Sequence, residues 1–99
     1  MKEITPKELK KLRDEKADFM LVDVREEYEF DDVNINGKLI PMGEVNDRIN
    51  EIPRDKKVVV HCKAGSRSAA VIKSLEEKGY TNLYNLKGGI MAYIDEVGI

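Results

Sequence analysis

Three short apolar runs limit how this chain can fold. Phe19-Met20-Leu21-Val22-Asp23-Val24, Val58-Val59-Val60-His61 and Asn82-Leu83-Tyr84-Asn85-Leu86 are each too brief for a globular helix. The first two read as buried strands, with near-continuous apolar character instead of strict alternation. Helix signals lie between the runs. Thr5-Pro6-Lys7-Glu8 combines a threonine cap, a proline at the first helical position and a glutamate three residues after the cap. Leu9 and Leu12 continue it at helical spacing. Glu26 to Phe30 reads as a short helix or turn, with Tyr28 and Phe30 as its apolar anchors. Asn34-Ile35-Asn36-Gly37 is a turn cluster, and the brief strand after it, Lys38-Leu39-Ile40, is stopped by Pro41.

Val45, Ile49 and Ile52 fall at i, i+4 and i+7, which predicts a helix from Gly43 to Ile52. Ala69, Ile72 and Leu75 predict another, ending at Gly79. Ile90, Ile94 and Val97 mark a closing helix beyond the turn Lys87-Gly88-Gly89. Strands alternating with helices imply a three-layer α/β/α fold with a mainly parallel sheet of about five strands. Its 99 residues, 41% of them hydrophobic, make one globular domain over residues 1–99. In such sheets ligands bind outside the carboxyl ends of the strands. Cys62, Asp23-Val24-Arg25 and Gly88-Gly89 each follow a predicted strand, so they are expected on one rim.

A net charge of -2 carries no nucleic-acid or anionic-membrane signature. The charges are nevertheless segregated. Residues 18–32 hold seven acidic side chains and one arginine, whereas residues 56–75 hold five basic ones and no acid. The basic stretch contains Cys62, the only cysteine, so no internal disulfide or cysteine-based metal site is expected. The first residues lack an apolar signal region and no run approaches the ~20 apolar residues of a membrane span, which predicts a cytoplasmic protein. Mild charge and the lack of a long apolar stripe predict a monomer.

The chemistry concentrates at Cys62. A strand, a tight cationic turn and a helix start place a thiol where backbone N–H groups and a helix dipole converge. A free thiol titrates near ~8.5, and such a setting makes it a thiolate more readily. Lys63 and Arg67 supply positive charge, and Gly65 lets the backbone curl without a side chain blocking the cavity. A thiolate there can attack an electrophilic sulfur or phosphorus whose oxyanion the loop holds. His61, by strand alternation, points to the opposite side and reads as a packed residue. Ser66 and Ser68 read as helix-cap hydroxyls, and Asp23 and Arg25 as a strand-end ion pair.

Cys62-Lys63-Ala64-Gly65-Ser66-Arg67-Ser68 resembles the active-site loop of the rhodanese sulfurtransferases. Leu21-Val22-Asp23-Val24-Arg25-Glu26 resembles the family's first signature, and Gly88-Gly89-Ile90-Met91-Ala92-Tyr93 its C-terminal one. The spacing Cys-x4-Arg is one residue shorter than the Cys-x5-Arg of related phosphatases, which favours sulfur transfer. The resemblance implies two steps, in which Cys62 takes a sulfane sulfur from thiosulfate or a persulfide and then passes it to cyanide or a thiol. It also implies that amides of Lys63, Ala64, Gly65, Ser66, Arg67 and Ser68 stabilise the sulfur, that Lys63 and Arg67 hold the leaving anion, and that no cofactor or metal is needed. Asp23 and Arg25 match the family's motif, with a catalytic and a structural role both open; Gly88 and Gly89 bring the backbone close to the loop. Asn34 and Tyr93 depart from the family's usual histidine and tryptophan. The alternatives are a regulatory module, a carrier that docks a sulfur-accepting protein, and a phosphatase or arsenate reductase.

Overall fold

The computed structural model describes residues 1–99. Five parallel strands form one sheet: β1 (Glu3–Ile4), β2 (Phe19–Asp23), β3 (Lys38–Leu39), β4 (Lys57–His61) and β5 (Leu83–Leu86), in spatial order β1-β5-β4-β2-β3. Four helices cover it: α1 (Pro6–Asp14), α2 (Glu27–Asp32), α3 (Ser66–Glu77) and α4 (Gly89–Glu96). The three-layer α/β/α architecture is as the sequence predicts. No helix is long and apolar enough to cross a membrane.

Two apolar cores lie on opposite faces of the sheet. On one, Val22, Val24, Val58, Val60 and Cys62 pack with Val71, Ile72 and Leu75 of α3. On the other, Leu21 and Val59 pack with Leu9 of α1 and with Ile90 and Tyr93 of α4. The runs read as buried strands are buried because each alternate residue feeds a different core. The central strands β2 and β4 pair from Phe19 with Lys57 to Asp23 with His61, so their carboxyl ends finish level. The amide of Val24 extends the ladder by donating to the His61 carbonyl at 3.0 Å. Cys62 and Arg25 therefore leave the sheet on the same rim.

Two local expectations are corrected. The stretch from Gly43 to Ile52 is not an α-helix but two 3-10 turns, Met42–Glu44 and Ile49–Glu51. Val45 and Ile52 are buried as their spacing implies. Gly43, Asn46 and Asp47 are weak helix formers, and between the turns a single α-type bond, from the Arg48 N–H to the Glu44 carbonyl at 3.0 Å, is not continued into a helix. Tyr28 is no anchor: it is 75% exposed, because the six-residue α2 turns Glu29 inward instead. The fifth strand, β1, is two residues long and shows no period of its own; it is held at the sheet edge by pairing Glu3 with Asn85 and Ile4 with Leu86.

The two departures from the resemblance have local roles. Asn34 closes a turn, its side-chain carbonyl accepting from the Asn36 amide at 2.9 Å. Tyr93 is buried in the α1/α4 core, with the Arg13 guanidinium 5.6 Å from its ring centroid.

Candidate active site

Cys62 is the first residue past β4, and α3 starts four residues later at Ser66. The backbone reverses in between, and Gly65, with φ +119°, makes the reversal in a region closed to side-chain-bearing residues. The start of α4 lies directly beneath. Ile90 donates its N–H to the Cys62 carbonyl at 2.9 Å, and Met91 to the Lys63 carbonyl at 3.1 Å. A Cβ on Gly89 would run into the Lys63 carbonyl, so the close approach requires glycine. With these carbonyls committed to α4, the amides of the loop are left to face the sulfur.

The Cys62 side chain is only 1% exposed. The Gly65 N–H donates to Sγ at 3.1 Å, and the Ser68 hydroxyl lies 3.4 Å from it. Burial pushes the thiol pKa up. The Ser68 hydroxyl and the amides of Ser68, Gly65 and Ala64 push it down, and the net result lies below the ordinary value. A helix N-terminus and a fully enclosed sulfur thus act in opposition, and the hydrogen bonds prevail.

Ser68 is not the cap of α3. That position belongs to Gly65, which offers no side-chain bond, and Ser66 is exposed. Ser68 is buried and reaches Asn85 Oδ1 at 2.6 Å and the Gly65 carbonyl at 3.1 Å. Asn85, on β5, also donates from Nδ2 to the Gly65 carbonyl at 3.2 Å. Asn85 belongs to no motif that the sequence displays. Its signal was a polar residue on the same strand face as the buried Leu83.

Arg67, expected to hold the leaving anion, is paired within the protein. Its guanidinium makes a two-bond fork with Glu29, Nη1 to Oε1 at 2.7 Å and Nη2 to Oε2 at 2.9 Å. Arg67 holds the Glu29 carboxyl down at about 2, and Glu29 in turn raises the guanidinium's pKa. Glu29 was invisible in the sequence, one acid among seven. Lys63 is exposed at the loop's edge and makes no ion pair.

Asp23 and Arg25 form a buried pair, 0% and 3% exposed, with Arg25 Nη2 to Asp23 Oδ2 at 2.8 Å and Nε to Oδ1 at 3.0 Å. Arg25 also donates to the Val33 carbonyl at 2.8 Å, tying the end of α2 to the rim. His61 is wholly buried on the far face of the sheet, its Nε2 3.5 Å from Asp23 Oδ2. The rim thus assembles Cys62, the Lys63–Ser68 turn, Asp23, Arg25, Gly88 and Gly89 as the spacing implied. It adds Asn85 and Glu29.

The molecule is thus a parallel α/β domain that holds a single thiol at the floor of an amide-lined turn. The Rhodanese-like domain profile matches residues 5–96, and the chain belongs to that family. It is 34% identical, over 97% of its length and 93% of the relative's, to the putative sulfurtransferase YtwF of Bacillus subtilis. It is 35% identical over 95% of its length to the probable adenylyltransferase/sulfurtransferase MoeZ of Mycobacterium tuberculosis, and spans only 25% of that protein. The crystal structure of a rhodanese-like domain protein from Staphylococcus aureus superposes with a TM-score of 0.89 at 38% identity, covering 98% of this chain and 95% of that one.

Proposed function

We propose that this protein is a sulfurtransferase that carries a sulfane sulfur as a persulfide on Cys62. Family membership and relatives named sulfurtransferases support sulfur transfer in general. The observation that carries the finer reading is the Cys62 sulfur itself, buried yet met by the Gly65 N–H at 3.1 Å and the Ser68 hydroxyl at 3.4 Å, contacts that hold the thiol below its ordinary pKa. Those donors serve a sulfur anion, and a persulfide is one.

In the first step the Cys62 thiolate attacks the outer sulfur of thiosulfate or of a persulfide donor. A new S–S bond forms to Cys62 as the donor's S–S bond breaks, and its electron pair leaves with sulfite or with the donor thiolate. In the second step a thiol or cyanide attacks the outer sulfur, and Cys62 departs as thiolate, stabilised by the same amides. The sulfur anion changes place but not charge, so one set of donors serves both halves of the cycle.

Thiocyanate formation from cyanide and a panel of sulfane donors tests the reading. The wild type turns over with at least one donor, and Cys62→Ser does not. Absence of thiocyanate with every donor contradicts it. Hydrolysis of an aryl phosphate, with no sulfur loading, favours a phosphatase instead.

A further inference from the structure

Beside the loop, between α2 and α4, a groove of about 280 Å³ opens on the rim. Tyr28, Val33, Ile90, Met91 and Ile94 give it apolar walls. Lys63 and Glu29 line it as well, so it runs up to the turn that holds Cys62. Tyr28 is 75% exposed and Met91 55%, the two largest apolar surfaces left open near the site. Singly exposed apolar residues need no explanation, but two lining one cleft beside the turn that holds Cys62 do.

The charges around the groove are nearly all spent. Arg25 is paired with Asp23, and Arg67 with Glu29. Lys63 is left as the one unpaired cation, and Asp32 on the rim has no ion-pair partner. With Cys62 as thiolate, the loop cations Lys63 and Arg67 and the anions Cys62 and Glu29 sum to zero. Any anionic donor therefore brings net negative charge to the loop, and a dianion is repelled more strongly than a monoanion. An inorganic dianion also leaves the apolar walls facing water.

We infer that the groove is the binding subsite for the body of a carbon-bearing sulfane donor with a single negative charge, and that Glu29 sets this preference by occupying Arg67. The inference rests on the proposed role of Cys62 as sulfur acceptor. Organic persulfides and thiosulfonates belong to this class, and the thiosulfate dianion does not. With an organic thiosulfonate, Cys62 takes the outer sulfur, the S–S bond of the donor breaks, and the sulfinate leaves with the electron pair.

Benzenethiosulfonate, methanethiosulfonate and thiosulfate carry the same kind of S–S bond and differ in charge and in body. Single-turnover loading of Cys62 is followed with each, and every rate is divided by that of the same donor with a small free thiol, which removes intrinsic reactivity. The expected order is benzenethiosulfonate, then methanethiosulfonate, then thiosulfate, with about tenfold or more between first and last. Met91→Ser lowers the benzenethiosulfonate to thiosulfate ratio about tenfold, and Glu29→Gln lowers it by raising the thiosulfate rate. Equal normalised rates for the first and last donors, or a ratio unmoved by both variants, overturn the inference and leave sulfur transfer standing. Failure of all three donors to load Cys62 overturns the proposed function and this inference with it.

Discussion

The Ser68 hydroxyl lies 3.4 Å from the Cys62 sulfur, 2.6 Å from Asn85 Oδ1 and 3.1 Å from the Gly65 carbonyl, so one proton has three claimants. With a neutral thiol, the sulfur can donate to Ser68 while Ser68 donates to Asn85. With a thiolate, Ser68 must turn its proton to the sulfur, and Asn85 keeps only its bond from Nδ2 to Gly65. Ionisation of Cys62 is thereby coupled to a hydroxyl rotation inside α3.

Removing that hydroxyl weakens the thiolate. A hydrogen bond to a charged group contributes about 1.5 kcal/mol, so Ser68→Ala should slow alkylation of Cys62 at neutral pH about tenfold. The midpoint of the alkylation-pH curve moves up. An unchanged midpoint would show that the amides alone stabilise the sulfur.

Gly89→Ala tests the seat of the loop. At φ +64° a Cβ is strained, and here it also meets the Lys63 carbonyl. Urea unfolding should show a loss of about 3 kcal/mol, from backbone strain and overpacking together.

Asp23→Ala leaves Arg25 buried without its partner. Breaking a buried pair from one side costs about 3–5 kcal/mol, again readable in urea. Replacing both residues by apolar ones of similar volume should recover much of that loss, since neither charge is then left alone.

The acid limb of stability should report Glu29. Its folded pKa, about 2, lies below the unfolded value near 4.5, so its contribution is complete above 4.5 and is lost as pH falls toward about 2. Glu51, held low chiefly by Arg48, titrates in the same window. Thermal unfolding of Glu29→Gln should therefore depend less steeply on pH between 4.5 and 2 than the wild type, without becoming flat.

His61, the only histidine, gives one imidazole resonance to follow. Burial lowers its pKa, against the opposing pull of Asp23. The resonance should titrate below 6.5. Since the unfolded chain takes up that proton more readily, stability falls as pH drops below 6.5 toward the folded value. His61→Gln should remove that component.

Much of this was legible in the chain. The strands β2 and β4 announce themselves because buried parallel strands are apolar on both faces, β5 shows as a short run between turn residues, and the shared rim follows from their order. The thiol, its turn and the glycines beneath it are local features, and local features are what sequence displays. What stayed hidden depends on side chains distant in sequence meeting on the rim. Asn85 reaches Ser68 across 17 residues and Glu29 reaches Arg67 across 38, and neither spacing has a period. The segment around Val45 misled for another reason: burial at helical spacing constrains where side chains point, and two 3-10 turns satisfy it as well as a helix.

A persulfide on Cys62 is read directly from the mass of the intact protein after exposure to sulfane donors. One sulfur, an increment of about 32 Da, should appear on the wild type, localise to Cys62 and disappear on adding cyanide. Cys62→Ser should stay at its starting mass. A wild type that gains no sulfur from any donor, or a Cys62→Ser variant that gains it equally, would rule out a Cys62 persulfide.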